Sequence, residues 1–418
     1  MKVLVVGAGI AGLTTALSLH AVGIDVRVID GVRALRPLGV GINLLPHAVS
    51  ELAALGLGDA LAATAIPTAA AVHYDRFGNR IWSEPRGLGA GHAWPQYSIH
   101  RGELHTILLR AVRDRLGVDA VREGMRFEAM AEDGDLVRAQ VRDRTTDAVV
   151  ESTADVVVGA DGLHSAVRAH LHPDEPGPRW NGIRMWRGTA ETEPFLDGRT
   201  MILAGTNQAA RIVAYPISAS AQRRGRALVN WVAEVRVDDG AATDPDWNRT
   251  GRLEDVLPHY AGWRIAGVDI AELLAASGEI LEYPMVDRDP LSHWGTGRAT
   301  LVGDAAHPMY PIGSNGGSQA VLGARVLAAE LAAAPDPVTG LAGYEAARRD
   351  QANAIVLANR DMPMDRILHL VTERAPTGFT RIEDVLTPDE LAAIAAAYRR
   401  TSGSSATTGG PQGSRAQR

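Results

Sequence analysis

Four consecutive apolar residues, Val3-Leu4-Val5-Val6, open the chain, and a helical apolar pattern over residues 13–21 follows the turn Gly7-Ala8-Gly9-Ile10-Ala11-Gly12. An unbroken apolar run ending in glycine predicts a strand covered on both faces, as in a parallel sheet. Residues 25–29 predict a second strand, ending at Asp30. Strand and helix patterns alternate to about residue 66, the βαβ signature of an α/β fold. Near Ala69 the texture changes. Residues 70–74 and 80–82 flank Asp75-Arg76-Phe77-Gly78-Asn79, a hairpin signal. Leu104, Ile107, Leu108, Ala111 and Leu116 form one stripe of a helix over 101–116. Strands are expected around 122–129 and 136–143, and a buried one over 155–159. From 182 to 283 short strands dominate (183–186, 200–204, 211–217 and 226–235), interrupted by a helical piece at 246–259. The apolar run 299–303 returns to the first sheet, and helices over 318–333 and 341–361 follow. Residues 402–418 are rich in Ser, Gly and Thr and predict a disordered tail.

These patterns divide the chain into a discontinuous nucleotide-binding domain (1–68, 101–181 and 286–335) and a β-rich substrate domain (69–100 and 182–285). C-terminal helices (336–400) and the tail (401–418) complete the expected organisation. At 418 residues the chain can bury a large shared core.

Composition narrows the chemistry. The net charge of -7 argues against nucleic acid as a bulk partner. With no cysteine, disulfides, thiolate metal sites and a catalytic thiol are excluded, and no metal site is expected. No apolar run reaches the roughly 18 residues of a membrane span. The hydrophobic start runs straight into a glycine turn, so a signal peptide is not expected and a cytoplasmic location is.

Three segments carry the candidate chemistry. In the first, Gly7 permits a tight turn, Gly9 lets backbone approach a pyrophosphate, and Gly12 lets the helix pack closely, with Ile10 and Ala11 at the helix start. Asp30 stands at the offset of a ribose-binding carboxylate. The second is Gly159-Ala160-Asp161-Gly162, where Ser165 reads equally well as a simple helix cap. The third is Gly303-Asp304-Ala305-Ala306-His307-Pro308, continuing to Tyr310, Pro311 and the loop Gly313-Ser314-Asn315-Gly316-Gly317. A loop so rich in glycine, entering a long helix, presents backbone N–H groups where a flavin ring collects negative charge on reduction.

Together these segments resemble the single-component FAD-dependent aromatic hydroxylases, the class A flavoprotein monooxygenases, over most of residues 1–350. The resemblance implies a Rossmann-like FAD-binding fold of the GR2 type with an inserted β-rich substrate domain. It implies non-covalent FAD, NAD(P)H as a transient co-substrate, O2, and a flavin C4a-hydroperoxide attacking an electron-rich aromatic small molecule. It carries FAD contacts onto Gly7, Gly9, Ile10, Ala11, Gly12, Asp30, Arg36, Val40, Gly41, Arg101, Asp161, Gly162, Asp304, Pro311, Gly313, Ser314, Asn315 and Gly316. Pro311 is expected beside the reacting position with Tyr310 next to it. Trp186, Leu203, Tyr215 and Trp231, on the β-rich strands, are candidates for the substrate wall, and aromatics there are often plain core. Strings such as LRPLGVGIN, WSEPRG, PQYSIHRGEL and YPMVDRDPL are similar to those of phenazine hydroxylases within the family. Gly323 stands where members often carry Asp. A flavin oxidase or dehydrogenase, and a non-catalytic binder of the same architecture, are the competing readings. Neither NADH versus NADPH, nor oligomeric state, nor a general base is legible.

Overall fold

The structure, a computed structural model, describes residues 1–37, 39–237, 249–361 and 363–401. Its first sheet has five parallel strands in the order Ala299–Leu301, Val156–Gly159, Lys2–Val6, Asp25–Ile29 and Val121–Arg122. The register sets Val6 beside Gly159 and Gly159 beside Leu301. Parallel strands share polarity, so the segments that leave these three neighbours all emerge at one edge. That edge is where the three glycine-containing motifs sit.

The helices Ile10–Ala21, Arg101–Leu116 and Asn315–Ala333 pack together beside the parallel sheet. An antiparallel sheet of Met125–Asp133, Leu136–Asp143 and Val149–Ala154 supplies Phe127, Val137, Ala139 and Val141 to the same core. Every residue of Val156–Gly159 is buried, as an apolar run without alternation requires. The helix Pro337–Arg360 lies against Asn315–Ala333, and Tyr344 Oη donates to the Leu301 carbonyl at 3.1 Å. A Cβ at Gly323 would meet that hydroxyl at 3.4 Å, so a larger side chain there would crowd the helix pair.

An eight-stranded sheet forms the second layer system. Its order is Arg249–Thr250, Ile280–Asp287, Arg179–Thr192, Ala227–Arg236, Ala210–Pro216, Thr200–Gly205, Ala70–Tyr74 and Arg80–Pro85. Apolar side chains cover both of its faces. One face packs Trp186, Trp231, Ile212 and Val229 against the helices Leu253–Val256 and Ile270–Ala275. The other carries Met185, Leu203, Val213, Tyr215 and Val232 towards Tyr310 and Ile312. The helix Pro363–Arg374 contributes Ile367, Leu368 and Val371 to a small cluster with Ile81 at the sheet's edge strand.

Two features differ from the sequence pattern. Of the helical piece expected at 246–259, residues 246–248 lie outside the described residues. Arg249–Thr250 is an edge strand paired with Ile280–Asp287, and helix begins only at Leu253. Gly41–Leu44 also forms a strand, paired with Tyr97–His100, which in turn pairs with Ile66–Pro67. None of these segments exceeds four residues, too short for alternation to mark a strand. The tail at 402–418 lies outside the described residues.

Candidate active site

The three motifs meet. Gly7 has φ +106°, and a Cβ there would run into the Ala160 carbonyl and lie 2.8 Å from the Asp161 Cα. Gly303, with φ +62°, would place a Cβ 2.6 Å from the Ala11 side chain. The first motif therefore touches both others, which only glycine permits at these two points. Above Gly9 the space is open, and the helix Ile10–Ala21 has no side-chain cap. Its first N–H groups are left for an anion.

Asp30 accepts from Ala8 N at 2.7 Å and from Val32 N at 2.8 Å, so it fixes the glycine turn while lone pairs remain for a hydroxyl. His105 Nε2 lies 2.8 Å from the Ala8 carbonyl. It was missed in the sequence, although it stands four residues after Arg101 and hence on the same helix face. Arg101 itself packs against Gly39. Asp304 is exposed at the cleft, where a Cβ on Gly316 would stand 4.0 Å from its Oδ1; the surrounding protein raises its pKa, and the charge of Arg101 opposes the rise. Ile10, Gly12 and Val40 are buried beside this cleft, and Arg36 is exposed.

Asp161 acts locally. Its carboxylate accepts from the Ser165 hydroxyl and from Ala166 N at 2.7 Å, capping the helix Ala166–Leu171. Burial raises its pKa, and these hydrogen bonds oppose the rise. Ser165 is the N-cap of that helix, its hydroxyl accepting from Arg168 N at 2.9 Å, so the capping reading holds there, while the backbone of Ala160 and Asp161 lies against Gly7. Arg168, on the same helix, is buried and donates to the Ala305 and Ala306 carbonyls at 3.0 Å each. It ties the second motif to the third, and nothing in its sequence context announced it.

The loop after Tyr310 enters the helix Asn315–Ala333 through Gly313 (φ +68°) and Ser314 (φ +62°), with no side-chain cap. The N–H groups near Gly316 at that helix start face no capping side chain. Facing this loop, Gly41 is held from both sides by the large sheet. Its N–H donates to Asn230 Oδ1 at 2.6 Å, and its carbonyl accepts from Arg187 Nη2 at 2.8 Å. These residues fit FAD: an uncapped helix start with open space for the phosphates, an acid at the ribose position, and two glycine loops for the ring system.

Beside the loops a cavity opens against the large sheet. Its wall includes Leu203, Val213, Tyr215, Val232, Pro311 and Gly313. Two of the expected wall residues are therefore present and two are not. Trp186 and Trp231 lie on the opposite face, where Trp231 Nε1 donates to Ser277 Oγ at 2.7 Å and Trp186 stacks near His259. Side chains alternate along a strand, and each of these tryptophans falls on the wrong parity. Tyr310 needs a similar correction. It is buried with Met285 and Ile312, its phenol is pushed up to about 12 by burial, and Pro311 rather than Tyr310 lines the cavity. Burial also raises the pKa of Tyr215, with Arg187 the leading opposing influence. Among the described residues no cluster of metal ligands occurs and no helix is long and apolar enough to cross a membrane.

This pairing of a glycine-lined nucleotide cleft with a large sheet defines an FAD-binding protein. The chain belongs to the FAD binding domain family, whose model matches residues 1–359. It is 52% identical over 362 residues to the phenazine 1,6-dicarboxylic acid hydroxylase PhzS of Lysobacter antibioticus, covering 86% of this chain and 89% of that protein. It is 35% identical to the 3-amino-4-hydroxybenzoate 2-monooxygenase PtnB3 of Streptomyces platensis, covering 86% and 87%. Among solved structures, Klebsiella pneumoniae HpxO complexed with FAD and uric acid aligns with a TM-score of 0.73 at 27% identity, covering 96% and 93%. The protein is an FAD-dependent aromatic monooxygenase of the class that consumes NAD(P)H and O2.

Proposed function

We propose that the substrate is a phenazine-type fused aromatic ring, hydroxylated at a position presented to Pro311. The similarity to a phenazine hydroxylase across most of both chains supports this reading. The cavity agrees with an aromatic ligand: Leu203, Val213 and Val232 are register neighbours on three adjacent strands and form an apolar floor. FAD, when bound, supplies the reduction by NAD(P)H and the activation of O2. The chain's own residues do the rest. The Gly313-Ser314-Asn315 turn offers backbone donors, Asn230 and Arg187 hold Gly41 in place, and the apolar floor excludes water from the reacting edge.

The decisive observation is the single cavity that joins the flavin loops to the sheet's apolar face. Purified holoenzyme given NADH or NADPH, labelled O2 and a panel of phenazines is expected to oxidise the nicotinamide faster with substrate and to add one labelled oxygen to it. Product mass also reveals whether a carboxyl group leaves. Nicotinamide oxidation without label in the product would point instead to an oxidase or dehydrogenase.

A further inference from the structure

Pro311, Ile312, Gly313 and Ser314 form one wall of the cavity, and their backbone is tightly bent. The Ile312 N–H donates to the Tyr310 carbonyl at 2.7 Å, closing a γ-turn around Pro311. The proline ring holds φ at roughly −65°, close to what the inverse form of that turn requires. Gly313 and Ser314 follow with φ of +68° and +62°. Left-handed backbone at a serine is strained and persists only where its surroundings fix it. Two side chains do so here. At the far end, Ser318 Oγ donates to the Ser314 carbonyl at 3.1 Å. At the near end, Asn359 Nδ2 donates to the Tyr310 carbonyl at 3.4 Å.

Asn359 stands apart within its own helix. Tyr344, Arg348, Ala352, Val356 and Asn359 follow one buried stripe of Pro337–Arg360. An amide in such a stripe is costlier to bury than an apolar side chain of similar size unless it is hydrogen-bonded. Docking of the helix has other anchors. Asn353 Nδ2 donates to the Leu291 carbonyl at 3.1 Å, and Arg360 holds the buried Asp287 through Nε at 2.6 Å and Nη2 at 3.1 Å. These bonds fasten the helix end to residues 287–291, whereas Asn359 reaches across to the proline turn. It carries the rigidity of an anchored helix end into the loop.

We propose that Asn359 is a positioning residue for the flavin: by holding the Tyr310 carbonyl it aims the N–H groups of the Gly313-Ser314-Asn315 turn at the ring and so stabilises its reduced, anionic form. Hydrogen bonds weaken steeply as they lose alignment, so a loop free to swing stabilises that anion less. Oxidised flavin lacks the charge, and its binding changes less. The inference rests on the reading above that this turn offers its donors to the flavin, and it adds the C-terminal helix to the parts that set the ring's chemistry.

The test is the midpoint potential of the FAD-loaded enzyme, measured by equilibration with a reference dye and read in flavin absorption. Asn359→Leu is expected to weaken the hold on reduced FAD relative to oxidised FAD by about 10-fold, a fall of about 30 mV for two electrons. The Tyr310 carbonyl keeps its bond from Ile312, so no acceptor is orphaned and the variant should fold. Asn359→Ala adds no bulk and must give the same fall should the leucine not fit. Asn353→Leu removes a comparable bond of the same helix and is expected to lower the melting temperature without moving the potential. Pro311→Ala frees the turn itself and is expected to lower the potential at least as far. An unchanged potential in the folded Asn359 variants, beside a fall in Pro311→Ala, overturns the inference and leaves the reading of the turn intact. An equal fall in Asn353→Leu also overturns it, since loose docking of the helix would then suffice. If Pro311→Ala does not move the potential, the reading of the turn fails, and the inference with it.

Discussion

Replacing Asn230 with alanine tests how the sheet controls the flavin loop. Asn230 is fully buried, and its Oδ1 is the acceptor for the Gly41 N–H at 2.6 Å. The contact is tight: a Cβ built on Gly41 would stand 2.6 Å from the Asn230 Cβ and 2.9 Å from Ile217. Asn230→Ala keeps that Cβ and removes the carboxamide, with its hydrogen bonds to Gly41 and Tyr215, leaving the buried Gly41 donor unsatisfied. The cost is about 1–3 kcal/mol, or roughly 5- to 150-fold in the balance between a seated and a displaced loop. The Arg187 bond to the Gly41 carbonyl survives, so the loop is loosened and not lost. Two readouts follow: FAD affinity, from the fluorescence of released flavin, should weaken within that range, and hydrogen peroxide per NAD(P)H consumed should rise as water reaches the ring. A folded variant with unchanged FAD affinity and unchanged peroxide yield would refute the argument.

Other consequences are simpler to state. Gly7→Ala combines a positive φ with a collision against the Ala160 carbonyl, costing about 1–3 kcal/mol in strain alone, and should yield protein with little bound flavin by its visible absorption. Trp231→Phe should lower stability by about 1 kcal/mol in urea titration, through loss of the Ser277 hydrogen bond, while leaving substrate KM unchanged, because the ring lies behind the sheet. Tyr215→Phe, on the cavity face, should change KM. Burial lowers His73 to about 3 and both His47 and His307 to about 4, from 6.5. The unfolded chain therefore binds more protons between those values and 6.5, so the stability these histidines contribute is complete above pH 6.5 and falls as pH drops towards 4. Melting temperature measured from pH 7 to pH 4 should fall, and less steeply in His307→Asn.

The strongest local signals concerned the nucleotide side. Val3-Leu4-Val5-Val6 and 155–159 read as buried strands because nothing polar interrupts them, and the glycines after each mark a turn that a side chain would block. The hairpin at 75–79 and the helix at 101–116 were equally plain, since turn residues and a 3.6-residue stripe are local properties. Arg168, His105 and Asn230 were not legible. Each is one polar residue in an ordinary element, and its meaning depends on a partner 97 to 189 residues away in the chain.

What the chain determines by itself is the identity of its elements and the turns between them, because propensity, period and glycine act over a few residues. Tertiary structure decides which way each strand of the large sheet faces. Both faces of that sheet are buried, so apolar residues occupy both parities of 227–236 and 210–216, and alternation cannot say which tryptophan or tyrosine meets a ligand. Only the packing of one face on helices and the other on the 311–314 loop sends Leu203 and Tyr215 to the cavity and Trp186 and Trp231 behind it.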